Sequence, residues 1–218
     1  GIVPSLAKAG ASRIVLVATN VEELKHKGAF RATKEPIASV FQKATETFGP
    51  IDILIHNDEF MNTMGNINEE KPSLWWKQLT INTLGTYLVS NHFIKSLSSP
   101  ETAGLIIYQA GRSELLSQKV ISDVSAGYPN ITTISLNPGL VDTNMLQMKN
   151  FDWDTPELVG GTVVRLTGNE AKFLDGRVIS VNWDVEDLSA KKDEIIREYL
   201  LTIKLVGNFG LNQFHQGP

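Results

Sequence analysis

Hydrophobic positions along this chain follow two periods that alternate from end to end. Apolar residues recur at helical spacing in several stretches, as Ile37, Val40, Phe41 and Ala44 do before Gly49. Between the helical stretches lie short β-branched runs that predict strands buried on both faces. Helices that alternate with such strands predict an α/β fold with a doubly wound parallel sheet. The predicted strands contain the sequences RIVLVA, IDILIHN, GLIIYQ, ITTISLNPG and GRVISVNW.

The chain opens on a helical pattern, which is unusual for this class of fold. Ile2, Leu6 and Ala9 share one helical face, Gly10 suits a C-cap, and a strand pattern follows from Arg13. An α/β unit normally has a strand before its first helix. We therefore expect that a strand and its turn belong before Gly1, so that the fold as written lacks its usual first strand.

The later helical patterns indicate one continuous domain. A long helix is predicted over residues 72–97, with Pro72 in its first turn, and further helices over 115–128 and 155–169. Residues 190–205 predict an amphipathic helix with acidic residues early and lysine late. Since no internal repeat or linker interrupts the pattern, we predict a single domain over residues 1–218, in which residues 207–218 form a C-terminal tail.

Composition and charge exclude several classes of function. The net charge is −4, so the chain lacks the basic footprint of a protein that binds nucleic acid or an anionic membrane. It contains no cysteine, and its four histidines show no ligand spacing, so we predict neither a disulfide nor a metal site. The sequence has no apolar run of about 18 residues and no signal peptide. We therefore expect a cytoplasmic protein.

Several motifs in this order resemble the short-chain dehydrogenase/reductase family, and above all its fungal members. They are AGASRIVLVATN, FGPIDILIHN, WWKQLTINTLGTYLVS, ITTISLNPGLVDTNM, DTPELVGGTVVRL and FLDGRVISVNWDVEDL. The resemblance spans nearly the whole chain. It implies a Rossmann-like fold and an enzyme that transfers hydride between nicotinamide, as NAD or NADP, and a carbonyl or alcohol substrate of secondary metabolism. It also implies a small-molecule substrate and a homodimer or homotetramer that pairs through residues 72–97 and 115–127.

The resemblance assigns roles to individual residues. Asn82 matches the family's asparagine and is a candidate for the proton relay. Ser113 is the nearest candidate for the catalytic serine, because the aligned positions hold Ala110 and Gly111. The positions that match the family's cofactor-binding motifs are Gly1, Ile2, Thr19, Asn20, Asn57, Pro138, Gly139, Val141 and Thr143.

The chain also departs from the family where the cofactor and the proton donor belong. The glycine-rich turn survives only as Gly1-Ile2-Val3, and no Tyr-x-x-x-Lys occurs anywhere in the sequence. After Asn57, Asp58 and Glu59 replace the small residues that let the backbone pass close to the cofactor. Their side chains and negative charge disfavour a dinucleotide, unless they simply point to solvent.

Three hypotheses remain open. The first is an NAD(P)-dependent oxidoreductase whose written sequence is incomplete, since every missing piece belongs to the cofactor site. The second is a cofactor-independent cyclase or isomerase on the same scaffold, with Asp58, Glu59, Asn82 or Arg112 as acid–base groups and His56 as a further candidate base. The third is a non-catalytic relative that binds or dimerises.

Overall fold

The sheet has four parallel strands whose order in space equals their order in the chain. The computed structural model describes residues 1–17, 36–61, 66–109, 111, 114–143 and 151–204. Each strand pairs with the next one in parallel, so the chain moves across the sheet in one direction. The strands are β1 (Ile53–His56), β2 (Gly104–Gln109), β3 (Ile131–Asn137) and β4 (Arg177–Ser180). The predicted α/β class with a parallel sheet is confirmed.

Helices fill the connections between the strands. Gly10 at φ +92° and Gly49 at φ +88° follow the first two helices, as their positions in the sequence predict. A π-helical turn (Thr80–Gly85) joins α3 to α4, and a 3₁₀ turn (Asn169–Leu174) precedes β4. The helices are α1 (Ile2–Lys8), α2 (Ile37–Phe48), α3 (Pro72–Leu79), α4 (Thr86–Ser96), α5 (Glu114–Gly127), α6 (Pro156–Leu166), α7 (Val185–Ala190) and α8 (Lys192–Arg197).

The prediction of a strand from Arg13 is wrong for residues 13–17, which the structure describes. Residues 13–17 form no strand in the structure. A strand exists only where another strand receives its N–H and C=O groups, and no described strand lies beside this segment. Arg13 instead donates a hydrogen bond to the carbonyl oxygen of Phe48.

The helix predicted over residues 190–205 is also shorter than its pattern indicates. It ends at Arg197, and Tyr199 and Leu201 adopt φ values of +52° and +62°. The Leu201 carbonyl accepts a 2.8 Å hydrogen bond from the N–H of Val178 in β4, and its side chain packs against the core. Because this contact draws the chain alongside the sheet, the helix cannot continue.

The two faces of the sheet bury separate apolar clusters. On one face, α1 and α6 cover side chains from β2 and β3, and on the other face α4 and α5 do so. The first cluster includes Ile107, Ile134, Leu136, Val159 and Val163, and the second includes Phe93, Ile106, Tyr108, Ile121 and Ile131. Both faces of β2 are therefore apolar, which explains its nearly continuous hydrophobic run. In β3, the buried Thr133 and Ser135 alternate with apolar residues.

Gly160 allows α1 and α6 to approach closely on the first face. A Cβ atom at this position would lie 2.3 Å from Ser5 Oγ and 2.7 Å from the Gly1 carbonyl oxygen. At the neighbouring Gly161, an added Cβ would meet nothing within 4 Å. The two adjacent glycines of α6 therefore have different roles, since only Gly160 is required for the packing of the helices.

This difference predicts opposite effects of the same substitution. Gly160→Ala should lower the free energy of unfolding by about 1–3 kcal/mol, because α1 must move away from α6. Gly161→Ala should raise it by about 0.5–1 kcal/mol through helix propensity alone. Urea unfolding of the two variants measures both effects. Equal stability of the variants would contradict the close contact of α1 with α6.

Candidate functional site

The candidate site lies at the edge of the sheet where all four strands end. Ligands of open α/β sheets bind outside the carboxyl ends of the parallel strands. His56, Gln109, Asn137 and Ser180 are the last residues of β1 to β4, so they mark this edge. The site is built from the segments that follow these residues.

Asn82 fixes the segment after β1 to the long central helix. Its Oδ1 accepts a 2.8 Å hydrogen bond from the Phe60 N–H, and its Nδ2 donates a 2.9 Å bond to the Phe60 carbonyl. Asn82 is buried in the π-helical turn, and Lys77 Nζ lies 4.3 Å from the centre of the Phe60 ring. Both polar groups of the Asn82 side chain are thus used by backbone. Its role in a proton relay stays a prediction.

His56 and Tyr108 form a buried polar pair beneath this segment. They are paired in the register of β1 and β2, and their ring centres lie 6.3 Å apart. The Tyr108 hydroxyl lies 2.9 Å from Ser90 Oγ, and burial raises the pKa of Tyr108 to about 12. Tyr108 therefore keeps its proton at neutral pH, and its hydroxyl is buried against Ser90. Burial lowers the pKa of His56, although neighbouring Asp58 acts in the opposite direction.

The two carboxylates after Asn57 have different environments. Asn57 and Asp58 are exposed, whereas Glu59 is half-buried. Both carboxylate oxygens of Glu59 lie 3.1 Å from the position that a Cβ on Gly111 would take. Glu59 therefore places its charge between the ends of β1 and β2. The sequence left open that both side chains simply point to solvent. This is the case for Asp58, but it is wrong for Glu59.

Asp154 holds the predicted Pro138-Gly139 turn in place. Its Oδ2 accepts a 2.8 Å hydrogen bond from the Leu140 N–H, and its Oδ1 accepts a 2.7 Å bond from Asn182 Nδ2. Gly139 has φ +70°, and a Cβ there would lie 2.1 Å from Asp154 Oδ2. The turn after β3 is thus joined to the end of β4 by one carboxylate.

Other predicted site residues lie at this edge or outside the described residues. The Gly139 N–H donates to Asn137 Oδ1 at 2.9 Å, Val141 forms a bridge with Asp154, and Thr143 is exposed. Thr19, Asn20, Arg112 and Ser113 fall outside the part of the chain that the structure describes. Their predicted roles remain predictions.

Sequence reasoning missed Asp154, Asn182 and Gln109. Asp154 is 14 residues from Leu140 and precedes the Thr155 N-cap of α6, so it resembles an ordinary helix start. Gln109 ends β2, and both atoms of its side-chain amide are buried without a hydrogen-bond partner. A buried amide without a hydrogen-bond partner destabilises the fold, and a polar ligand that binds there would supply the missing hydrogen bonds.

The described residues do not fit the pyrophosphate of a dinucleotide. Gly1 and Ile2 begin α1, but α1 has only seven residues, and a Cβ on Gly1 would lie 2.7 Å from the Pro156 carbonyl oxygen. The charged side chains at the carboxyl edge include the carboxylates of Asp58, Glu59 and Asp154. Negative charge repels phosphate, so the described edge offers a polar ligand the Gln109 amide but provides no phosphate cradle.

Neither a cluster of metal ligands nor a membrane-spanning helix occurs among the described residues. They contain no group of three or more metal-ligating side chains that could hold an ion. None of the helices they form is long and apolar enough to cross a membrane.

Proteins with related sequences point to one family. No family model matches the chain. The short chain dehydrogenase mpl6 of Monascus purpureus is 28% identical over 195 residues, which cover 80% of this chain and 67% of the relative. The short chain dehydrogenase tazN of Aspergillus terreus is 28% identical over 232 residues, which cover 88% and 51%. The chain thus spans between about half and two thirds of the length of these relatives.

Solved structures share the fold at lower identity. A gluconate 5-dehydrogenase from Burkholderia cenocepacia, in complex with NADP and tartrate, superposes with a TM-score of 0.71 at 17% identity, over 81% of this chain and 86% of that one. An alcohol dehydrogenase from Thermococcus sibiricus, complexed with 5-hydroxy-NADP, gives 0.68 at 18%, over 83% and 91%. These likenesses confirm a Rossmann-like α/β protein. The sequence relatives are short chain dehydrogenases, and the chain resembles that family over most of its length.

Burial of His56 predicts a pH-dependent stability. Its pKa is lower in the folded chain than the usual 6.5 of an unfolded chain, so only the unfolded chain gains this proton as the pH falls through 6.5. The contribution of neutral His56 to the free energy of unfolding is present above pH 6.5 and is lost as the pH falls below it. Urea unfolding at about pH 7.5 and about pH 5.5 should show a larger loss for the natural chain than for His56→Gln. The same loss in both would contradict the burial of a neutral imidazole.

Proposed function

We propose that the protein is an oxidoreductase of secondary metabolism that transfers hydride between a nicotinamide cofactor and a carbonyl or alcohol substrate. The observation that carries the proposal is the likeness to fungal short chain dehydrogenases, which extends along most of the chain. The carboxyl edge of the sheet, with the unpartnered amide of Gln109, is where a polar ligand of this fold class binds.

The solved relatives favour a nicotinamide cofactor. Two of them are complexes with NADP or 5-hydroxy-NADP, and a third is an NADPH-dependent reductase involved in bacilysin biosynthesis. The described residues of this chain provide no pyrophosphate cradle. The proposal therefore requires that groups outside the described residues hold the phosphates, and we derive no reaction step through the cofactor.

A second candidate function is acid–base catalysis without a nucleotide. It is favoured by the position of Glu59, whose half-buried carboxylate lies against Gly111 at the end of β2. Burial also favours the neutral form of His56, which is the form that accepts a proton. A cyclase or isomerase needs such groups and no hydride donor.

The pairing surface implied by the resemblance also remains a proposal. Trp76, Leu84 and Tyr87 are 65%, 49% and 51% exposed, and they follow one face along α3, the π-helical turn and α4. Exposed apolar side chains at helical spacing support a helical interface between two copies of the chain.

Titration with NADPH and NADH separates the two candidate functions. Under the oxidoreductase proposal, the nicotinamide fluorescence or calorimetric signal should show binding in the micromolar range. Glu59→Gln should tighten that binding by about 1 kcal/mol, because it removes a negative charge from the edge. Glu170→Gln is the matched control, since Glu170 pairs with Arg165 outside the site.

The opposite results would reject the oxidoreductase proposal. Absence of binding of both nucleotides at about 1 mM, in a protein that unfolds cooperatively, would leave the nucleotide-free function. In that case Glu59→Gln should abolish substrate turnover, while Glu170→Gln should leave it unchanged.

A further inference from the structure

A second cleft lies at the opposite edge of the sheet from the candidate site. It has a volume of about 380 Å³ and opens between α5, the turn that leads into β4, and the segment after α8. This is the amino end of β4, because Arg177 is the first residue of that strand. The volume lies within the range of small-molecule pockets. The walls include Gln118, Ser122, Asp175, Arg177, Tyr199 and Thr202.

Arg177 brings a positive charge to this cleft, and no carboxylate of the described residues pairs with it. Its Nη1 donates to the Asp175 carbonyl oxygen at 2.9 Å, and its Nη2 reaches the Ile195 carbonyl oxygen at 3.5 Å. Its Nε is buried and has no hydrogen-bond partner. Neutral carbonyls orient a guanidinium without cancelling its charge, so Arg177 retains the capacity to bind an anion.

Gln118 adds a second unpartnered donor on the facing helix. Its side chain is 8% exposed, and its Nε2 has no hydrogen-bond partner. A buried donor without a partner destabilises the fold unless an acceptor forms a hydrogen bond with it. Two unpartnered buried donors from different elements, Gln118 Nε2 and Arg177 Nε, therefore line one cleft.

The nearby carboxylates are committed to other partners. Asp175 accepts hydrogen bonds from the Thr133 N–H at 2.7 Å, from Thr133 Oγ1 at 3.1 Å and from Ser125 Oγ at 2.7 Å. Lys119 at the rim pairs with Asp123 at 2.5 Å. Asp175 is thus occupied by the strand and helix behind it, and Lys119 is occupied by its own helix.

We propose that this cleft is a second ligand site, which binds a small molecule through its carboxylate. A planar carboxylate presents two acceptor oxygens, which match the donors of one guanidinium and one amide. A phosphate dianion is less suitable, because the Asp175 carboxylate lines the same cleft and Lys119, among the described lining residues, is already paired with Asp123. Tyr199 and Leu201 flank this wall with positive φ, a strained conformation that is typical of functional sites. The proposal is independent of the oxidoreductase function.

Benzoate is the probe for the test, and benzamide is its neutral counterpart of equal size. Calorimetric titration at constant ionic strength should give a dissociation constant of about 1 mM for benzoate and binding at least about tenfold weaker for benzamide. Inorganic phosphate should also bind more weakly than benzoate. Tighter binding of phosphate would overturn the carboxylate assignment.

Two variants assign the binding to this cleft. Gln118→Met removes the unpartnered donor and none of the hydrogen bonds seen in the structure, so it should raise the Tm of the free protein while weakening benzoate binding about tenfold. Arg177→Lys should weaken binding at least as much. Arg165→Lys is the matched control, because Arg165 pairs with Glu170 on α6.

Several outcomes would overturn the proposal. They are no benzoate binding at about 20 mM, equal binding of benzoate and benzamide, or equal weakening by Arg165→Lys. If Arg177→Lys unfolds the protein, Gln118→Met alone decides the question. Unchanged benzoate affinity in Gln118→Met would then reject the site.

Discussion

The candidate site depends on the pair of hydrogen bonds between Asn82 and the backbone of Phe60. One side-chain amide satisfies both the N–H and the C=O of the same residue, so it fixes the position and the orientation of the segment that follows β1. Asn82 can do so because the π-helical turn places it, buried, in the middle of the long central helix. A π-helical turn inside an α-helix often marks a functional position. Asp58 and Glu59 lie between β1 and this anchored residue, so the segment that contains them is fixed at both ends.

The chemistry of the edge follows from where charge is buried. Glu59 lies against Gly111, and Asp154 occupies the turn after β3, so carboxylates fill two of the gaps between strand ends. Such an edge binds polar or cationic groups more readily than phosphates. The proposed function requires hydride transfer from a nicotinamide cofactor, whereas the described residues lack a place for the pyrophosphate. The two observations agree only if residues outside the described part of the chain supply the phosphate site.

The central strands were predictable because the apolar pattern that indicates each of them lies within the strand itself. β2, β3 and the helices beside them carry dense apolar patterns, and both of their faces are buried. The segment from Arg13 carries the same kind of pattern but forms no strand over residues 13–17, since a strand needs a partner that the pattern does not specify. The predicted helix over residues 190–205 failed for a related reason, because a backbone bond between Leu201 and Val178 ends it.

Much of the candidate site was not predictable for the same reason. Pro138 and Gly139 were recognisable from their motif, but the clamp by Asp154 joins residues that are far apart in the chain. The role of Glu59 depended on whether its side chain turned inward, which its position after Asn57 left open. The close approach at Gly160 likewise depends on a helix that lies more than 150 residues earlier in the chain.

Amide hydrogen exchange at Phe60 tests the central claim most directly. If Asn82 holds this backbone, the Phe60 N–H should exchange nearly as slowly as the N–H groups of β1, and Asn82→Ala should speed its exchange by at least about tenfold. Amides of β3 should keep their protection, and Asn91→Ala on the same helix should leave Phe60 unchanged. Exchange of the Phe60 N–H at the rate of an exposed loop amide in the natural chain would contradict the account, because the edge of the sheet would then lack its anchor.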